Sequence, residues 1–178
     1  MSVYRPTTVN SYGSVARALH WLVALLVAAQ FVIGWTMPEV HRDTLPVGLI
    51  AWHLGVGATL VAAVVLRIVW RATHRPPPDT LAPVHRIASK LTHTLLYAAL
   101  AAVPLLGWAN ASSRGWDVKV LGLVGLPALS AKGSALGHEM GDVHSALAWV
   151  LLVLIAAHVA AALYHRFVLK DDVLQRML

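Results

Sequence analysis

Four long apolar runs, separated by short polar clusters, dominate the chain, at roughly 16–37, 47–70, 90–109 and 142–165. Each is about as long as the ~20 apolar residues that a helix needs to cross a bilayer core. Polar and proline-rich stretches punctuate them. The segment "RPPPD" after the second run cannot continue a helix, because proline lacks the N–H and its ring clashes with the preceding turn. The first run is too long, and starts too late, for a typical cleavable signal, and His20 and Gln30 inside it fit a retained helix. The pattern predicts an all-α membrane protein, a four-transmembrane-helix bundle forming a single domain over 1–178, with almost nothing left for a water-soluble domain.

Composition agrees with the pattern. Hydrophobic residues make up 58% of the chain and charged residues 12%, and the mean hydropathy is +0.66. A soluble domain carries about 25% charged residues. The charges that remain are placed asymmetrically. With four spans, Arg5, Arg17, Arg67, Arg71, Arg75, Arg86, Lys90, Arg166, Lys170 and Arg176 fall on the side of the termini. Only Arg42, Arg114, Lys119 and Lys132 fall on the other. The positive-inside rule then places both termini in the cytoplasm. The pI of 10.2 is thus a topological signal, and no water-exposed basic domain exists to make nucleic acid a partner.

The absence of cysteine excludes disulfides, iron–sulfur clusters and covalent c-type haem attachment. The outer connection, 110–141, is the one long loop. Its "WDVKVLGLVGLP" is apolar enough to lie at the membrane interface, with Trp108 and Trp116 as anchors.

Against this apolar background the ten histidines stand out. His20, His53, His93, His144 and His158 lie within or at the edges of spans, where a polar side chain is costly and calls for a partner. His144 and His158 are fourteen residues apart on the last run. At 1.5 Å per residue that step rises ~21 Å, and at 100° per residue it returns to within about 40° of the same face. One helix therefore offers an imidazole at each of two depths. The alternating direction of the spans puts His20 at the level of His158, on the inner side, and His53 at the level of His144, on the outer side.

Paired imidazoles from two helices of a bundle suit the axial ligation of a b-type haem. One turn beyond each of the four is a small residue, Ala24, Gly57, Ala148 or Ala162, leaving room for a flat macrocycle. His93 departs from this, with Tyr97 one turn on. Other chemistries stay open at this point. Intramembrane histidines also serve as helix–helix hydrogen-bonding residues. A histidine-lined transporter of metal ions or protons would use the same rings, although no Asp or Glu lies deep in a span.

Arg17, Arg67 and Arg71 are placed to meet haem propionates or to snorkel to the interface. His93 and Tyr97 are placed to touch a quinone or a propionate, or to bond between helices. His41, His74, His85, His138 and His165 lie outside the spans or at their ends and are expected to be solvated.

The segments "ALHWLVALLVAAQFVIGW", "WHLGVGATLVAAVVLRIVWR", "HTLLYAALAAVPLLGW" and "HSALAWVLLVLIAAHVAAALYHRFVLKDDVLQRML" together resemble the bacterial cytochrome b561 family. The resemblance runs from Ala16 to Leu178 and is most specific in the last segment. It implies a multi-pass cytochrome of the bacterial inner membrane with two non-covalent haem b groups, and axial ligands His20, His53, His144 and His158. It further implies electron transfer between the membrane faces and the quinone pool, with ubiquinone as substrate. One branch of the family is similar to a superoxide oxidase. Others are quinone-linked cytochrome b subunits of dehydrogenases or hydrogenases. For a superoxide or periplasmic redox partner, Arg114, Lys119 and Lys132 are placed to attract an anion. Glu39, Asp43, Asp117, Glu139 and Asp142 share that side and outnumber its four basic groups by one. Steering would therefore have to be local.

Overall fold

Residues 11–78 and 81–178 are described by the structure, a computed structural model. Arg5 and Asp79 lie outside them. Four helices carry the apolar runs: α1 Ser14–Thr36, α2 Leu49–Thr73, α3 Pro83–Ser113 and α4 Ala135–Tyr164. All four are long and apolar enough to cross a membrane. Leu25, Leu66, Trp149 and Val153 are among the many large apolar side chains left exposed on them. An apolar surface of this extent fits lipid rather than water.

The helices outrun the hydropathy pattern. α3 begins at Pro83, where proline suits the first helical turn, and runs for 31 residues. That is ~46 Å, well beyond a ~30 Å hydrocarbon core. Hydropathy marks where a helix leaves lipid, whereas polar residues such as Arg86 and Lys90 continue it into the aqueous layer. α4 starts at Ala135, where the Ser134 side chain accepts from the Gly137 N–H at 3.1 Å. The outer connection is therefore only 114–134.

α1 packs chiefly on α2 and α3 chiefly on α4, while α2 and α3 join the two hairpins. Val23 and Val27 of α1 interlock with Leu60, Ala63 and Val64 of α2, and Leu100 and Ile155 close this cluster from the other helices. The α3–α4 crossing has a different cause. Gly137 and Gly141 form a small-x-x-x-small pair, which lets helix backbones approach closely. A Cβ on Gly137 would lie 2.8 Å from Ser113 Cβ, and one on Gly141 would lie 2.9 Å from Asn110 Nδ2. Asn110 Nδ2 in turn donates to the His138 carbonyl at 2.8 Å.

Both ends of the bundle are closed. On the outer side the connection forms a hairpin, β1 Lys119–Val120 against β2 Val124–Gly125, which the sequence pattern does not announce. Leu121 at its tip takes a left-handed φ of 53°, held by the Thr59 hydroxyl of α2, which accepts its N–H at 3.1 Å. Trp108 and Trp116 pack beneath this loop against Ala58, Ala111 and Val118. Arg114 ties the two outer loops together, donating to the His41 carbonyl at 2.9 Å. On the opposite side, a π-helical turn, His165–Leu169, leads the chain back under the bundle. There Trp21 Nε1 donates to the Met177 carbonyl at 3.0 Å and Arg176 donates to the carbonyls of Pro77 and Pro78. The start of α1, the α2–α3 connection and the C-terminal segment thus share one side.

Candidate functional site

Histidines from all four helices come together at two levels along the bundle, His93 from an exposed position on α3. At the outer level the rings of His53, on α2, and His144, on α4, have centres 6.0 Å apart with planes at 87°. At the inner level His20, on α1, and His158, on α4, have centres 6.3 Å apart at 70°. His93 of α3 joins the inner level, its ring centre 5.3 Å from that of His158. Fourteen residues along one straight helix account for both levels on α4. The hairpin pairing of the other helices supplies the partners.

The orientation of His144 is built by its neighbours. Its Nδ1 lies 2.8 Å from the Val103 carbonyl of α3. A carbonyl only accepts, so in the neutral ring Nδ1 carries the proton and Nε2 keeps its lone pair for a metal. Gly107 makes this pose available, since a Cβ there would stand 2.9 Å from His144 Nδ1. His53 lies against Gly34 of α1, where a Cβ would be 3.6 Å from the ring, and its Nδ1 is buried with no protein partner. Gln30 Nε2 donates to the His53 carbonyl at 2.9 Å, and its Oε1 is buried without a protein partner. The Gln30 amide also fills the space beside Gly57, where a Cβ would lie 2.6 Å from Nε2. Gly57 therefore makes room for Gln30 in this structure. Gly34 and Gly107, which touch the rings, have no signature in the sequence, because each serves a histidine on another helix.

Of the arginines, Arg67 reaches the inner level, donating from Nε to the Tyr97 hydroxyl at 3.1 Å and from Nη1 to the Ala16 carbonyl at 3.3 Å. Arg17 donates to the Leu178 carbonyl, and Arg71 lies over the Tyr12 ring. Among the histidines expected to be solvated, His74 stacks on Trp70 at 3.6 Å and His41 lies near Glu39. His165 departs from that expectation. Its side chain is only 13% exposed, because the π-helical turn folds it onto Asp171 and against the ring of His85.

The donor set fits a haem better than a bare ion. Among the described residues no group of three or more His, Cys, Asp or Glu side chains converges to hold a metal. The two imidazoles of each couple leave most of a coordination sphere empty, as they would if a macrocycle supplied the equatorial nitrogens, and His93 stands beside His158 as a third ring at the inner level. The ring centres of the two couples stand at similar separations, 6.0 and 6.3 Å, as two copies of one kind of site would.

Charge gathers at one place on the outer face. A cavity of about 680 Å³ beside the start of α2 is lined by Arg42, Arg114 and Lys119 together with Asp43 and Asp117. Ala51, Leu54 and Gly55, flanking His53 on α2, form its floor. Lys132 lies on Gly115, one of the lining residues, with Cδ 3.0 Å from where a Cβ would be.

Comparison with known proteins gives the arrangement its relatives. The chain is 34% identical to cytochrome b561 homolog 2 of Escherichia coli (strain K12), over 96% of this chain and 93% of that protein. It is 29% identical to the probable superoxide oxidase CybB of Yersinia pestis, over 95% and 96% of the two chains. It is 27% identical to cytochrome b562 of Cereibacter sphaeroides, over 94% of each. The family model described as prokaryotic cytochrome b561 matches residues 11–178. The chain therefore belongs to the prokaryotic cytochrome b561 family and is a haem-binding, multi-helix membrane b-type cytochrome of electron transfer.

Proposed function

We propose that this chain is a single-domain di-haem cytochrome of the bacterial inner membrane, with both termini cytoplasmic. It passes electrons between an outer donor and ubiquinone. The observation that carries this is the two imidazole couples at two depths, His53 with His144 and His20 with His158. Haem b bound at each couple would supply a one-electron carrier. The protein's part is to fix the rings. Val103 and Gly107 set His144, Gly34 and Gln30 set His53, and Arg67 brings a fixed positive charge to the inner level. His53 with His144 and His20 with His158 would each hold a haem through two imidazoles, a ligation that suits electron transfer rather than dioxygen binding. A histidine-lined metal transporter is disfavoured, because among the described residues no group of three or more His, Cys, Asp or Glu side chains is placed to hold a metal ion, even where His93 stands beside His158.

Within this class we favour superoxide as the outer donor. The local balance of charge at the outer cavity supports it. Three basic side chains against two acids line the space next to His53, reversing the excess of acids on that side as a whole. Focused positive potential draws an anionic radical inward. Each superoxide would give up one electron and leave as dioxygen, and two such electrons with two protons would convert ubiquinone to ubiquinol. A quinone-linked subunit of a dehydrogenase or hydrogenase would need a soluble partner docked at that same face.

The first test is spectroscopic. Purified protein expressed with haem supply is expected to show reducible b-type bands at two haems per chain, and their absence would remove the proposal. The second is kinetic. Superoxide is expected to reduce the haems rapidly when ubiquinone is present. Replacing Lys119 and Lys132 by Gln should slow this several-fold at low salt, with the difference fading as ionic strength rises. Salt-independent rates in both proteins would speak for a docked protein donor instead.

A further inference from the structure

The outer hairpin carries an apolar edge that the bundle leaves uncovered. Val118 packs with Ala58 and Ala111, and Val120 and Leu126 pack against that cluster. Leu121, Leu123 and Val124 instead turn outward and are 70%, 82% and 63% exposed. No charged residue lies between Lys119 and Lys132. The tip is also built against conformational preference. Leu121 and Gly122 both have positive φ, 53° and 70°, and the Leu123 N–H donates to the Val120 carbonyl at 3.0 Å. A two-residue turn of this hand favours Asn or Asp before its glycine, because they tolerate the left-handed region. Leucine is disfavoured there, and at this tip its side chain gains no burial within the protein.

The level of this edge follows from its contacts with α2. The Leu121 N–H donates to the Thr59 hydroxyl at 3.1 Å, and the Lys119 carbonyl lies 3.9 Å from where a Cβ on Gly55 would stand. The hairpin thus runs beside α2 from Gly55 to Thr59. Thr59 is ~18 Å along the helix axis from Arg71, the basic residue in the last turn of α2. A hydrocarbon core is ~30 Å thick, so the tip stands within its outer half. A second measure agrees. α1 ends at Thr36 and its Gln30 meets Gly57 of α2, which puts Thr59 ~12 Å below that end. Trp52, exposed and two turns above Thr59 on α2, marks the interface. Polar backbone at such a depth must be paired inside the protein. Lys119 pairs with Gly125 and Val120 with Val124, and the Leu126 N–H donates to the Val118 carbonyl at 2.8 Å. The Thr59 hydroxyl is itself satisfied, donating to the Gly55 carbonyl at 2.8 Å. Lys119 lines the outer cavity with Asp43 and Asp117, as a snorkelling side chain would.

We propose that the hairpin Lys119–Gly125 is sunk in the membrane leaflet on its own side, where Leu121, Leu123 and Val124 form a docking surface for phospholipid acyl chains. The edge continues the lipid-facing surface of α2, on which Val65 and Leu66 are exposed. Contact with acyl chains favours an apolar side chain at the tip and offsets the cost of its left-handed backbone. In turn the hairpin covers Ala58 of α2 and Ala111 of α3, which are buried beneath it. The element is a re-entrant wedge, not an anchor lying on the membrane surface.

The chain has no cysteine, so single cysteines report access to water site by site. The test uses membrane fragments open on both faces that carry the haem-loaded protein. Leu123→Cys is expected to react with a charged maleimide on the order of a hundredfold more slowly than Asp117→Cys, because the reactive thiolate does not form in hydrocarbon. Its rate should match that of Leu66→Cys on the lipid face of α2, and denaturant should abolish the difference. Phosphatidylcholine with a photoreactive group on its acyl chain should mark residues 121–124 of the wild-type protein, as read by mass spectrometry. Leu121→Asn supplies an independent measure. Asparagine suits the left-handed turn in water, yet in vesicles it should lower the melting temperature while the haem spectrum of the folded protein is unchanged. Labelling of Leu123→Cys as fast as Asp117→Cys, or a Leu121→Asn protein more stable than the wild type, would overturn the proposal. Slow labelling without acyl-chain adducts would overturn it as well, since a protein surface rather than lipid would then cover the edge.

Discussion

His144→Ala and His53→Ala are each expected to remove the outer haem and leave the inner one, halving the haem-to-protein ratio. The reason is geometric. The two ring centres lie 6.0 Å apart, and each ring is the other's only histidine neighbour at that level among the ring contacts of the described residues. Truncating either would take away one of the two imidazoles proposed to hold the outer haem and open a cavity where the ring stood. His20 and His158, about 21 Å along α4 from this level, should keep their spectrum and their potential. The inner level is expected to respond differently, because His158 has two imidazole neighbours, His20 and His93. A haem quantification with a redox titration of each variant checks this. Loss of different haems from His53→Ala and His144→Ala would refute the pairing.

The second large effect is expected at a residue with no side chain. Gly107→Ala should disturb the outer haem and destabilise the protein, whereas Gly34→Ala should be tolerated. Both glycines sit inside helices, where alanine is intrinsically favoured by about 1 kcal/mol. Contact with the neighbouring ring decides the sign. At Gly34 the added Cβ would meet the His53 ring at 3.6 Å, an ordinary van der Waals distance. At Gly107 it would stand 2.9 Å from His144 Nδ1 and 3.0 Å from Cε1, so the ring or the backbone must move. Moving the ring breaks its 2.8 Å hydrogen bond to the Val103 carbonyl. Overpacking of this kind costs about 1–3 kcal/mol, which outweighs the gain in propensity. A lowered melting temperature and an altered outer-haem potential in Gly107→Ala, with neither in Gly34→Ala, is the expected result. Equal behaviour of the two variants would show that the α3 backbone yields freely at this point.

The bundle was legible in the sequence because burial in lipid imposes a one-dimensional requirement. Every helix must be apolar for the thickness of the membrane, whatever it packs against. The same simplicity made the ends of the helices hard to place. The hydropathy of α3 fades near Lys90, yet its backbone hydrogen bonds continue down to Pro83. Depth was legible for the same reason. Rise per residue is fixed in a helix, so His144 and His158 could be assigned to two levels from their spacing alone, and His20 and His53 from the alternating direction of their helices.

Sequence alone therefore determined the four membrane helices, the sidedness of the charge and the two histidine levels, since each follows from the geometry of a single helix in lipid. Tertiary structure decided what depends on contact between helices. It placed His93 beside His158, set Gly107 against His144, turned Gln30 into the space beside Gly57, and folded His165 onto Asp171 and His85. None of these leaves a period in the chain. They depend on how closely backbones approach, which the Gly137 and Gly141 crossing fixes for α3 and α4, and on where the π-helical turn sends the last residues. Local sequence sets how deep a side chain lies, and packing sets what it touches when it gets there.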